Sequence, residues 1–72
     1  MNEETRSELL ELANSKMQFG KYAGRYLIDL PEHYLVWYRT KGFPKNKLGK
    51  QMEQILEIKI NGLEPLIYKL KR

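Results

Sequence analysis

Residues 15–30 run SKMQFGKYAGRYLIDL, and the fold class turns on them. Short apolar runs flank Ala23-Gly24, and glycine takes a positive φ without steric cost. The pattern predicts a two-stranded antiparallel hairpin turning at Gly24. The same segment places Lys21 and Arg25 between and beside two glycines, which raises the question of a phosphate loop. The loop of nucleotide hydrolases needs four residues between its glycines, then Lys-Ser or Lys-Thr opening a helix. Here Lys21, Tyr22 and Ala23 alone separate Gly20 from Gly24, Arg25 follows, and a strand is expected next. A nucleotide site is rejected.

Helices are expected on both sides. Residues 3–14, EETRSELLELAN, carry glutamates where a helix dipole favours them, an apolar stripe of Leu9, Leu10, Leu12 and Ala13, and Asn14 as C-cap. Downstream, Pro31 opens a second helix through Lys41, with Asp29 or Leu30 as its cap, and Gly42 and Pro44 stop it. Tyr34, Trp37 and Tyr38 fall at i, i+3 and i+4 on that helix, a spacing that predicts core. Asn46 caps a third helix from Lys47 to about Asn61, with a stripe of Leu48, Met52, Ile55, Leu56 and Leu63. Lys59 falls inside that stripe and is expected to snorkel past the core. A last helix over residues 63–72 adds Leu66, Ile67 and Leu70, with Pro65 in its first turn.

A two-stranded sheet cannot stand alone, so the hairpin must pack on the helices. The expected fold is α+β, mostly helical with one two-stranded antiparallel hairpin, in the order helix–hairpin–helix–helix–helix. Residues 1–72 form a single domain, with Phe19, Leu30, Tyr34, Trp37, Phe43 and Leu56 in its core.

Composition narrows the chemistry. A chain of 72 residues without cysteine must find its stability in its core or in self-association. The missing cysteines, an acidic N-terminus unlike a signal peptide, and a longest aromatic-apolar run of five residues (YLVWY, 34–38) point to a cytoplasmic protein with no membrane role. Ser7 and Ser15 have His33 alone to call on, no residues stand at metal-ligand spacing, and the acids fall on helix surfaces. An enzyme, a metal and a cofactor are not expected.

The net charge of +4 is uneven: residues 1–14 carry −3, residues 15–50 carry +6 and residues 51–72 carry +1. The basic middle is either a solvated surface or an attractor of phosphate and acidic partners. Two candidate binding groups lie in it. On the hairpin, Lys21 and Arg25 would track phosphates while Tyr22 stacks on bases. In KGFPKNKLGKQ, residues 41–51, Lys45, Lys47 and Lys50 surround the positive start of the third helix, and Gly49 leaves room for close approach to backbone.

The stretch from Phe19 to Ile67 resembles a small bacterial family of putative quorum-sensing-regulated virulence factors. The likeness covers roughly residues 17–67 and rests on Phe19-Gly20-Lys21-Tyr22, Gly24, Leu30-Pro31, Tyr34-Leu35, Trp37, Lys41-Gly42-Phe43-Pro44, Leu48-Gly49 and Asn61-Gly62-Leu63. That family implies a regulon rather than a mechanism. FGKYAGRYLIDLPEHYLVW, residues 19–37, is also similar to the C-terminal appendage of exodeoxyribonuclease X-like proteins. In those proteins the metal-binding carboxylates lie in a separate domain, so the resemblance implies a DNA-associated accessory module without catalysis. Ala23 stands where that motif more often has a polar or basic residue, which thins the charge at the hairpin tip.

The sequence thus predicts a non-enzymatic nucleic-acid-binding module using Lys21, Tyr22, Arg25, Lys45, Lys47 and Lys50. The rival is a protein-interaction or homodimerising module meeting partners through its acidic first helix and basic middle. A small anion held at the start of the third helix is a further alternative.

Overall fold

Asn2 caps α1 (Glu3–Asn14), its Oδ1 accepting from Thr5 N at 2.7 Å. In the computed structural model, which describes residues 2–71, three further helices follow: α2 (Glu32–Lys41), α3 (Lys47–Ile60) and α4 (Glu64–Leu70). The expected run of the last helix to Arg72 ends beyond the described residues.

The α+β prediction is wrong. The domain is all-helical, and among the described residues no strand forms. The expected hairpin is a loop with one isolated antiparallel bridge, Lys16 to Tyr26. Its hairpin-like bonds run from Met17 N to Arg25 O and Gly24 N to Met17 O, both 2.8 Å, and from Leu27 N to Ser15 O at 2.9 Å. Gly24 does take the positive φ expected of it, at +89°. What stops the ladder is burial. Leu27, Ile28 and Leu30 all point inward, which the two-residue period of a strand forbids. A 3₁₀ turn over Leu27–Asp29 sends them into the core instead.

That turn touches α1, α3 and α4, and three side-chain hydrogen bonds hold it there. Lys59, with its side chain only 8% exposed, donates from Nζ to the Ile28 carbonyl at 2.7 Å and to Glu64 Oε2 at 3.2 Å. It therefore pairs with a carboxylate and a buried carbonyl rather than snorkelling. Asp29, expected as a possible cap for α2, instead accepts from Tyr68 Oη at 2.7 Å and Lys71 Nζ at 2.8 Å. The bond from Lys71 holds its carboxyl below the ordinary value of 3.8, partial burial opposes this, and the bond from Tyr68 adds to it.

The core comprises Leu12, Ala13, Met17, Leu27, Ile28, Leu30, Leu35, Leu48, Met52, Ile55, Leu56 and Ile67. Of the six residues expected there, Leu30 and Leu56 are buried, Tyr34 and Phe43 are partly buried, and Phe19 and Trp37 are exposed. Leu63 and Leu66, expected on the buried stripes, are also exposed.

The α2–α3 connection depends on Gly49. Its N–H is capped by Asn46 Oδ1 at 3.0 Å, and a Cβ there would sit 1.7 Å from the Pro44 carbonyl oxygen. The close approach at Gly49 is thus made by the chain's own backbone.

Two substitutions test this framework. Lys59→Met leaves the Ile28 carbonyl without its partner and should cost about 1–3 kcal/mol in urea unfolding. Gly49→Ala forces α3 away from Pro44 and should cost about 1–3 kcal/mol by the same measurement.

Candidate nucleic-acid interface

The turns between Gly20 and Arg25 lay one edge of the loop against α2. Ala23 N bonds Gly20 O at 3.2 Å and Arg25 N bonds Tyr22 O at 3.1 Å, so Tyr22 is presented between two cations. Lys21 Nζ lies 5.5 Å, and Arg25 Cζ 5.4 Å, from its ring centroid. The ring meets Tyr34 edge-to-face at 4.7 Å. Tyr34 meets Tyr38 at 5.2 Å, and Tyr38 in turn holds Trp37 at 5.1 Å and Phe19 at 6.4 Å. Five rings form one branched array, each contact in the edge-on geometry that aromatic quadrupoles favour.

This arrangement changes the role expected of Tyr22. The ring is partly buried and packed, so it is not the exposed platform. The outermost rings are Trp37, 53% exposed, and Phe19, 41% exposed. Both are propped by Tyr38. The sequence reading missed them because every position from Tyr34 to Tyr38 is apolar or aromatic, and periodicity alone cannot orient such a run. The core side of α2 is set by Leu35, its one buried residue. Trp37 then falls about 200° away around the helix. Lys41, three residues after Tyr38 and four after Trp37, follows on the side of these rings.

The second predicted group lies at the α2–α3 connection and the start of α3. Lys45 and Lys50 are exposed there. Lys47 makes an ion pair with Glu11 of α1. Lys47 and Lys50 share a shallow hollow with Glu8 and Glu11, so the acidic helix partly offsets their charge. Gln18, the residue before Phe19, lines a neighbouring hollow with Lys47, which brings the start of α3 next to the loop. The helix start itself is less open than its sequence suggests, because Asn46 takes the Gly49 N–H and Pro44 fills the space beside it.

Among the described residues no group of three or more His, Cys, Asp or Glu is arranged to hold a metal ion. No helix among them is long and apolar enough to cross a membrane.

The comparisons place the chain with uncharacterised proteins. A family model described as "Putative quorum-sensing-regulated virulence factor" matches residues 5–70. "Uncharacterized protein YpeB" of Escherichia coli (strain K12) is 53% identical over 68 residues, covering 93% of this chain and 94% of that protein. The protein of the same description from Escherichia coli O157:H7 matches equally well. These matches do not carry the likeness to exodeoxyribonuclease X-like proteins. No solved structure matches the chain.

The packing of the rings has a titration signature. Burial first, then a hydrogen bond with Tyr38, pushes Tyr34 up to about 12 from 10.0. The bond to Asp29 does the same to Tyr68, also to about 12. Unfolded tyrosine ionises near 10.0, so between pH 10 and 12 the unfolded chain releases protons that the fold keeps, and stability falls as pH rises. NMR titration should give Tyr34 and Tyr68 midpoints near 12. In Asp29→Asn the Tyr68 midpoint should drop towards 10.0 while that of Tyr34 stays.

Proposed function

The chain belongs to the family described as "Putative quorum-sensing-regulated virulence factor", and for this member we propose a non-catalytic accessory module that binds single-stranded nucleic acid. One observation carries the reading: two exposed rings, Trp37 and Phe19, pack edge-on against Tyr38 on the array whose far end is flanked by Lys21 and Arg25. Rings with free surface stack on unpaired bases of any identity, while cations follow the phosphates. A duplex keeps its bases stacked inside and offers such rings little.

In this reading Lys21 and Arg25 contact phosphates. Tyr22 orients both cations and braces Tyr34, and Trp37 and Phe19 take the stacking role. Lys41 continues the cationic track along α2, and Lys45 and Lys50 extend it to the start of α3. Lys47 contributes least, because its ion pair with Glu11 partly offsets its charge. The module works in the cytoplasm, where its ligand is found, and needs neither metal nor cofactor. Reaction chemistry is absent from the proposal because binding, not bond-breaking, is what rings and cations without a paired acid and base supply.

Fluorescence anisotropy with labelled DNA and RNA oligomers at two salt concentrations tests the reading. Single strands should bind more tightly than duplexes and quench Trp37 emission. Lys21→Glu with Arg25→Glu should weaken binding at least ~10-fold and flatten the salt dependence by about two phosphate contacts. Trp37→Ala should cost about 1–3 kcal/mol of binding with little loss of stability. A folded wild-type protein that binds no strand at low salt would sink the proposal.

A further inference from the structure

Away from the rings, α4 leaves a second apolar surface uncovered. Its one buried residue is Ile67. Leu63, its N-cap, is 46% exposed and Leu66 is 56% exposed. With Leu9 of α1, Ile58 of α3, Ile67 and Leu70 they frame a hollow of about 350 Å³. We infer that this surface is a homodimer interface, in which Leu63 and Leu66 of each protomer pack against the hollow of the other.

Three features favour a second copy as the occupant. The first is shape: a two-fold interface must be self-complementary, presenting projection and recess on the same patch. Leu63 and Leu66 supply exposed side chains and the space framed with Leu9, Ile58 and Leu70 supplies the recess.

The second is charge. Among the residues lining the hollow, Lys69 alone is charged, so each copy brings a single cation to an otherwise apolar contact. The ring array stands among Lys21, Arg25 and Lys41 and would repel its own copy. The two uncovered apolar surfaces therefore suit different partners, a polyanion for one and an identical chain for the other.

The third is size. A stable interface removes about 800 Å² from each partner, roughly a sixth of the 5034 Å² that this molecule exposes. In a molecule of 33 × 23 × 19 Å, such an interface occupies most of one face. A cluster of half-exposed leucines around an apolar hollow is the kind of centre that such a face requires, with polar neighbours as rim. A short chain with a small core and no disulfide gains most from covering it.

Sedimentation velocity of the wild-type chain at ~200 µM, in low and high salt, gives the test, since weak interfaces of this size still associate in the micromolar range. The expected result is a species of about twice 8.6 kDa whose stability is unchanged or improved by salt. Leu66→Lys, with Leu63→Lys as a second variant, should return it to a monomer with its far-UV helical signal intact. Trp37→Ala should remain dimeric. A wild-type monomer at that concentration overturns the inference. So does a dimer that survives Leu66→Lys and Leu63→Lys, or one lost in Trp37→Ala.

Discussion

One hydrogen bond organises this domain, from the ammonium of Lys59 to the carbonyl of Ile28. A 3₁₀ turn and its C-cap drive three apolar side chains inward and leave the Ile28 carbonyl partly buried as well. Buried carbonyls without partners are costly. Lys59 meets the one at Ile28 from α3, and Glu64 at the start of α4 balances its charge. Three elements separated in sequence are thus joined at a single ammonium group. On the outer side of the turn Asp29 gathers Tyr68 and Lys71 from α4, so the turn is clamped from two directions.

Clamping the turn decides where everything before and after it goes. Upstream, residues 15–25 must return the chain from α1 to Tyr26, and the backbone folds into turns around Gly20 and Gly24 instead of strands. Downstream, Pro31 starts α2 with Leu35 directed into the core, which leaves Tyr34 and Tyr38 to meet the loop and Trp37 against Tyr38. The ring array is therefore a product of the turn. It needs the loop to bring Phe19 and Tyr22 to the helix, where each edge-on contact is favourable.

The molecule separates its surfaces by charge. Acidic α1 meets the start of α3, where Glu11 takes Lys47 and quiets part of the basic middle. Lys21 and Arg25 remain beside the rings. The face built from α4 and its neighbours carries leucines and little charge. A polyanion and an identical chain would meet different sides, so one binding event need not obstruct the other.

Helix positions were legible from local signals alone: acids at the start of α1, Asn46 before α3, glycines after α2 and α3, and a proline in the first turn of α4. Each acts within a few residues, so no distant part of the chain is needed to interpret it. The buried stripe of α3 from Leu48 to Leu56 was legible for the same reason, because it repeats at the helical period. The loop between α1 and α2 was not, because Leu27, Ile28 and Leu30 are buried together against distant elements, with Lys59, some thirty residues away, donating to the Ile28 carbonyl. Nor could spacing assign Trp37, since a run of apolar residues from Tyr34 to Tyr38 offers every orientation to the core and only the packing of Leu35 selects one. The cations and rings of the candidate site were present in the sequence. Their division into packed Tyr22, exposed Trp37 and paired Lys47 required the tertiary contacts that set burial and pairing.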